Sequence, residues 1–436
     1  MSNLKTVLVI DGGGRGAVLV DKYGQSQSVG RILVVPGNDL MAINTSKDVI
    51  TYPNLKTTSI KEILEIVEKE DVNLVDVAQD NAVEAGLVNE LEKLGIAVIG
   101  PTKEAGQIEW DKAWARNFMK KYGIPSPEYH VFNSEEAGLD FIKKNPGKKW
   151  FIKAAGLAEG KGVIPAENFN KAIKAIKEMS KFGKAGETYL LEEWLEGEEF
   201  SAFALCDGGS FKLVGCAQDH KRVNDGDKGL NTGGMGCVSN PKVVTKYITS
   251  QINQIFKKTI EGLNNERRPY KGILYLGGMV LDKKVSVIEF NAIWGDPEAQ
   301  VILPSIQNDI YKVSMAIVSE SLKQLKIRID ENTRVVVAGT SKGYPGDYSK
   351  VKGKKVFGIS EVQKIEGIKI YGAGIKKSEK NWVVNGGRVL YIAGEGKNII
   401  DARKKAYGAM ALISIEGNNL HYRSDIGFRD LERLRK

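Results

Sequence analysis

"FIKAAGLAEGKGV", residues 151–163, places one lysine at the end of an apolar, strand-like run and a second, Lys161, inside a glycine turn. Lys153 can present its ammonium at the mouth of a strand. Gly156, Gly160 and Gly162 let the backbone amides between the two lysines approach an anion with no Cβ in the way. GxxxxGK[ST] is absent, so this is not a Walker loop. It reads as a flap over a polyphosphate, or else as a surface turn in a lysine-rich chain.

Working outward, "LLEEWLEGEEFSAF" (190–203) supplies a strand followed by acids at 192, 193, 196, 198 and 199. A hinge whose backbone meets an adenine edge, with a carboxylate nearby for ribose hydroxyls, needs that combination. Further on, "VIEFNAIWGDPEAQ" (287–300) alternates along a strand, so Glu289 and Asn291 share one face while Phe290 takes the other. A carboxylate and an amide oxygen so spaced suit Mg²⁺, although an exposed polar strand edge would read the same way. Flap, acidic hinge and metal strand in this chain order reinforce one another.

Upstream, "TVLVI", a glycine turn, "RILVVPGN" and two helical periods point to a doubly wound parallel sheet at the N-terminus. "DGGGRG" fails the dinucleotide spacing, and a substrate phosphate at the following helix is the better reading. A helix-like stretch runs from Trp110 towards Tyr129, stopped by Gly123 and Pro125. A small α/β segment spans 124–194. Residues 195–330 read as antiparallel strands, with hairpins across Asp207-Gly208-Gly209 and Asp282-Lys283. The tail from 331 is strand-rich and ends in the helix "NIIDARKKAYGAMALIS".

The chain has 436 residues, enough to bury several cores, and a net charge of +9 from 63 basic and 54 acidic residues. Its lysines are dispersed, with no aromatic-interleaved basic stripe, so neither nucleic acid nor a membrane is expected as a partner. No apolar run reaches bilayer length and the N-terminus lacks a signal-peptide pattern, so the cytoplasm is expected. Cys206, Cys216 and Cys237 form no CxxC pair and read as structural thiols.

With "QDHKRVNDGDKGLNTGGMG" (218–236) between hinge and metal strand, the order resembles the ATP-grasp superfamily, and closely its phosphoribosylamine-glycine ligase (glycinamide ribonucleotide synthetase) family. Matching blocks run nearly end to end: "VPGND" (35–39), "AGLVNEL" (85–91), "IGPTKEAGQIEWDKAWAR" (99–116), "GDPEAQ" (295–300), "GYPGDY" (343–348), "NGGRVL" (385–390) and "DIGFR" (425–429). The resemblance implies a mixed α/β and α+β multidomain chain: an N-terminal preATP-grasp domain over 1–104, a two-part ATP-grasp domain over 105–330 with its flap subdomain at about 124–194, and a C-terminal β-rich domain over 331–436.

It also implies an activity: ATP would phosphorylate glycine, and phosphoribosylamine would attack the acyl phosphate to form an amide, as in purine biosynthesis. Catalysis would be positioning and charge neutralisation. By resemblance Lys112, Lys153, Gly160, Lys161 and Gly162 touch ATP phosphates. Glu193, Trp194 and Leu195 form the adenine hinge, with Glu192 also binding the nucleotide, and Glu198 or Glu199 holds the ribose. Glu289 and Asn291 hold Mg²⁺ or Mn²⁺. Asp219, Lys221, Arg222 and Asp296 are the expected catalytic groups, and Gly233, Gly234, Met235 and Gly236 face glycine and the acyl phosphate. Gly13, Gly14, Arg15, Pro36, Gly37 and Asn38 would receive phosphoribosylamine, with Arg15 and the helix N-terminus on its phosphate. The implied state is a monomer or homodimer.

The chain departs from the family pattern at four places. Gly16 and Ala17 follow Arg15 where the family has an acid and a histidine. Gln79-Asp80-Asn81 replaces a proline-acid pair, and Ala155 an aspartate. Ile293-Trp294 stands where the family has arginine and phenylalanine before "GDPE". The nucleotide half looks intact and the amine half altered, which leaves open another amine or acid substrate, or a catalytically weak nucleotide-binding paralogue.

Overall fold

The computed structural model describes residues 4–158 and 162–435, so Gly160 and Lys161 of the expected flap lie outside the described residues. Strands β1 (Lys5–Asp11), β2 (Val29–Pro36), β3 (Asp48–Thr51), β4 (Leu74–Val77) and β5 (Val98–Ile99) form a parallel sheet in the order β3-β2-β1-β4-β5. The sheet interior is Val7, Leu8, Val9 and Ile10 on β1, all fully buried, as expected where helices cover both faces. Helix α1 (Gly14–Gly24) follows β1, α2 (Ile60–Lys69) precedes β4, and the short helices α3 (Asp80–Ala85) and α4 (Leu87–Lys93) lie between β4 and β5.

The expected helix from Trp110 divides differently. Helix α5 (Lys103–Trp110) ends at Asp111, whose extended backbone (φ −126°, ψ 92°) breaks the run. The Asp111 carboxylate accepts from Trp114 N at 2.9 Å and caps α6 (Lys112–Lys121). Lys112 thereby becomes the first residue of a helix. The small lobe follows: β6 (Tyr129–Phe132), α7 (Glu135–Lys144), β7 (Trp150–Ala154), β8 (Val163–Ala166), α8 (Phe169–Glu178), α9 (Lys184–Glu187) and β9 (Tyr189–Glu193), with an antiparallel sheet ordered β6-β9-β7-β8 around its own core of Trp150, Ile152 and Leu191.

The central hairpins are present. β10 (Glu198–Asp207) pairs β11 (Phe211–Asp219), turning through Gly208 at φ 93°. Strands β12 (Arg222–Asn224) and β13 (Lys228–Asn231) form a small ribbon before β14 (Gly236–Ser239). Between β14 and β15 (Lys271–Leu281) runs the 20-residue α10 (Lys246–Asn265), which the all-strand reading of 195–330 omits. β15 pairs β16 (Lys284–Asn291) across Asp282 and Lys283, both at positive φ. Helices α11 (Ala299–Ile302) and α12 (Ile310–Val318) lead to β17 (Thr333–Ser341).

Beyond β17 come β18 (Lys355–Phe357), α13 (Ile359–Gln363), β19 (Ile368–Gly372), β20 (Ile375–Ser378), β21 (Asn381–Val384), β22 (Arg388–Gly396), α14 (Ile399–Met410), β23 (Ser414–Ile415) and β24 (Leu420–His421). The sequence reading ends at α14, yet α15 (Phe428–Arg435) follows it, a short charged helix held by Arg433 on Glu198 and Asp430. The sheet order β16-β15-β10-β11-β14-β17-β22-β19 carries the central region into the tail without interruption. No helix among the described residues is long and apolar enough to cross a membrane. All three cysteines are buried and free.

Candidate active site

The cleft lies between the small lobe and the central sheet. One cavity is lined by Lys112 and Arg116 of α6, Gly162 and Glu192 of the small lobe, and Glu289 and Asn291 of β16. A smaller neighbour is lined by Glu199, Asp219, Lys221, Tyr275 and again Glu289. The expected alternation on β16 holds, with Phe290 in the core and Glu289 and Asn291 towards the cleft. Their oxygens are hard donors of the kind Mg²⁺ or Mn²⁺ takes, so the pair fits such an ion.

Lys153 is not a free ammonium. It is buried and paired at 2.6 Å with Glu192, which also takes Arg116 Nε at 2.7 Å and Nη2 at 2.8 Å. Burial pushes the Glu192 carboxyl up, but Lys153 and Arg116 outweigh it and bring it down to about 2. Glu192 lines the first cavity with its side chain committed to Lys153 and Arg116 and its backbone paired between β6 and β7. The irregular stretch after β9 keeps Trp194, stacked on Phe151 with ring centroids 4.5 Å apart, and Leu195, while exposed Glu193 reaches back to the Glu128 backbone at 3.4 Å.

Arg116, which the sequence reading passes over, also donates to the Val287 carbonyl at 3.0 Å and to Ile288 at 2.5 Å. It ties the small lobe to the strand that carries Glu289. Lys112 donates through its backbone to Ala155 at 2.9 Å and through Nζ to the Gly156 carbonyl at 3.4 Å, and burial lowers its pKa. Ala155 therefore supplies only backbone contacts where the family pattern has a carboxylate.

Strand alternation separates the two ribose candidates. Glu198 is held by Gln218 at 2.8 Å and by Arg433, away from the cleft, whereas Glu199 lines it and pairs with Lys221 at 3.2 Å. Glu199 and the other nearby carboxylates raise the Lys221 pKa, so this lysine stays charged. Arg222 is a further correction: it donates to the Gly229 carbonyl at 2.7 Å on the β12–β13 ribbon and lines neither cavity. Asp219 is present, its carboxyl pushed up to about 8 by burial and by Glu298. Glu298 accepts from Tyr275 Oη at 2.8 Å and Ser201 Oγ at 3.1 Å.

Of the glycine loop, Gly233 and Gly234 reach the site. A Cβ on Gly234 (φ 111°) would lie 2.4 Å from Pro297 and 2.7 Å from the Asp219 carboxylate, so no side chain fits. Met235 is instead fully buried in the core of the tail, and Gly236 belongs to β14, packed on the Val336 carbonyl. Two tail residues close over this loop. Tyr344 Oη accepts from Gly233 N at 3.0 Å, and Arg388 donates to the carbonyls of Gly233 and, at 2.6 Å, Asp296. Arg388 stands inside the quoted "NGGRVL" block, which is the signal that could have singled it out.

The first glycine loop, the expected acceptor site, differs most from the sequence reading. Arg15 is buried, donating to Asp11 at 3.1 Å and to the Trp294 carbonyl, so its charge is already paired within the chain. Asn38 Nδ2 bridges the carbonyls of Gly12 and Gly372, both at 3.1 Å, and is likewise spent. Pro36 pairs with Asp11 at the end of the sheet, and Gly37 N donates to the Asp11 carbonyl at 3.1 Å. Gly13 N donates to the Asp11 carboxylate, and Gly14 packs against Tyr391 and Gln300. Ile293 packs into the core around β1 and β4, while Trp294 stacks on Phe203 at 5.6 Å. The altered signature has become an apolar seam between the first sheet and the central one.

This cleft, between an antiparallel small lobe and a larger antiparallel sheet behind a parallel N-terminal domain, defines an ATP-grasp protein. Biotin carboxylase structures share the fold, that from Campylobacter jejuni with a TM-score of 0.72 at 15% identity over 99% of this chain and 96% of that one. The chain belongs to the phosphoribosylglycinamide synthetase family, whose N domain matches residues 5–109, ATP-grasp (A) domain 110–299 and C domain 333–429. A phosphoribosylamine–glycine ligase from Chlorobaculum tepidum is 36% identical over 98% of this chain and 100% of its own length. The crystal structure of such a ligase from Thermotoga maritima superimposes with a TM-score of 0.80 at 28% identity, covering 97% of this chain and 100% of that one. The trifunctional purine biosynthetic protein adenosine-3 of Bos taurus is 38% identical over 99% of this chain, which spans 42% of that longer protein.

Proposed function

We propose that this chain is an ATP-dependent carboxylate–amine ligase that joins glycine to 5-phosphoribosylamine, giving glycinamide ribonucleotide, ADP and phosphate in purine biosynthesis. The observation that carries the reading is the position of Glu289, which lines both cavities and so stands where a nucleotide in one would meet a carboxylate in the other. The γ-phosphoryl group passes from ADP oxygen to a glycine carboxylate oxygen. The amine nitrogen then attacks the activated carbonyl carbon, the carbon–oxygen bond to phosphate breaks, and the nitrogen loses a proton.

The residues divide this work by charge. Lys112 neutralises the nucleotide phosphates while Lys153 stays paired with Glu192. Trp194 and Leu195 seat adenine, and Glu199 takes the ribose hydroxyls. Glu289 and Asn291 would hold Mg²⁺ or Mn²⁺, which supplies charge neutralisation when bound. Lys221, Asp219 and the Gly233-Gly234 turn face the glycine, with Asp296 positioned by Arg388. The functional division is 1–104 for the acceptor, 105–330 for nucleotide and glycine, and 331–436 for closure. We place the protein in the cytoplasm as a monomer or homodimer. A coupled assay tests the reading: ADP should form rapidly only when glycine and freshly generated phosphoribosylamine are both present. ADP release that phosphoribosylamine never stimulates overturns it.

A further inference from the structure

Around the first turn of α1 the charges are already matched. The fully buried Asp11 carboxylate accepts from Gly13 N at 2.5 Å and Gly16 N at 3.0 Å, and from Gln79 Nε2 at 2.7 Å and Arg15 Nε at 3.1 Å. A Cβ on residue 16 would sit 2.7 Å from Asp11 Oδ1, so the glycine at 16 and the acid at 11 belong together. Gln79 and Gly16, two of the departures from the family pattern, are thus partners of a single carboxylate. The positive end of α1 has its anion from within the chain.

A second carboxylate completes the balance. Asp296 Oδ2 lies 3.5 Å from Arg388 Nη2, and a Cβ on Gly13 would be 3.2 Å from it. Two guanidiniums, Arg15 and Arg388, therefore face two carboxylates, Asp11 and Asp296, before any substrate arrives. Beside them Gln300 Nε2 donates to Asp296 Oδ1 at 2.7 Å, which fixes the orientation of the amide. Its Oε1, fully buried, has no partner among the described residues. An unpaired acceptor suits a hydroxyl or an amine N–H and repels a phosphate oxygen.

We propose that Asp11 sets the acceptor specificity of this chain: by taking the Gly13 and Gly16 N–H groups at the start of α1 and pairing with Arg15, it makes the site a weak reader of the acceptor's 5-phosphate, leaving recognition to the sugar hydroxyls and the nitrogen. The inference rests on the reading above of a ribosylamine acceptor. A dianion entering here meets Arg15 and Arg388 already paired with Asp11 and Asp296, and must displace Asp11 to take the Gly13 and Gly16 N–H groups.

Calorimetric titration of the full chain with ribose 5-phosphate tests this without turnover. The wild type should bind it with a dissociation constant of about 1 mM or weaker, and Asp11→Asn, which removes the competing charge, should tighten binding by about tenfold or more. Gly16→Ala, whose added methyl pushes the carboxylate out, should act in the same direction and serves if Asp11→Asn does not fold. Unchanged Mg-ATP binding verifies that a variant is native. Micromolar binding by the wild type, or native variants that bind no tighter, overturns the proposal. Absence of phosphoribosylamine-stimulated ADP release would instead overturn the functional reading while the titrations still decide the role of Asp11.

Discussion

Asp76 is a carboxyl group in the middle of the N-terminal sheet, 4% exposed, accepting from the Tyr23 hydroxyl at 2.8 Å. Burial pushes it from 3.8 up to about 7. An acid raised on folding keeps its proton in the native state while the unfolded chain has lost it. The native state is therefore destabilised progressively as pH rises from about 4 to 7, by about 1.4 kcal/mol per unit. Asp76→Asn keeps an oxygen for Tyr23 and removes the charge. Denaturant unfolding should show the variant gaining on the wild type between about pH 4 and pH 7, to a few kcal/mol that no longer grows above that range. A stability difference that does not vary with pH would contradict the assignment. Single residues were also where sequence reading went furthest and failed soonest. Glu289 and Asn291 are legible from type and spacing and Lys112 from the family resemblance, but whether a carboxylate is free or spent is not. Glu192 and Glu199 look alike in sequence and differ because Lys153 and Arg116 surround only the first.

Helix α6 shows how an element delivers a side chain. Asp111 breaks the run from Trp110, caps the helix through Trp114 N, and so makes Lys112 its first residue beside the Ala155 carbonyl. Asp111→Ala removes the cap. We expect a loss of about 1 kcal/mol in unfolding free energy, typical of such substitutions, together with a raised KM for ATP and little change in KM for glycine. Equal effects on both substrates would show that the cap serves stability alone. The strand alternation that divides Glu198 from Glu199 is of the same scale, and it was readable as a rule. Which side faces the cleft was not, because that depends on α15 bringing Arg433 to one side of β10.

For the whole molecule the decisive feature is the pairing of β14 with β17, Gly236 with Val337 through Val238 with Val335, which joins the central region to the tail in one sheet. The two should open together, since separating them breaks a ladder and exposes Val238, Val335 and Val337 from one core. Native-state hydrogen exchange should give the β14 and β17 amides the same opening free energy. A markedly lower value for β17 would mean that the tail opens by itself. The order of the expected flap, hinge, loop and metal strand, each read from local rules of strand period, glycine freedom and side-chain charge, pointed to the class of fold once the blocks that resemble the ligase family were set beside it. Only the tertiary structure decided which charges remain available. Asp11 takes the Gly13 and Gly16 amides at the start of α1, Ile293 and Trp294 are absorbed into apolar cores, and Arg388 arrives from a distant strand. Pairing of buried charges depends on contacts between segments far apart in sequence, and no local pattern encodes them.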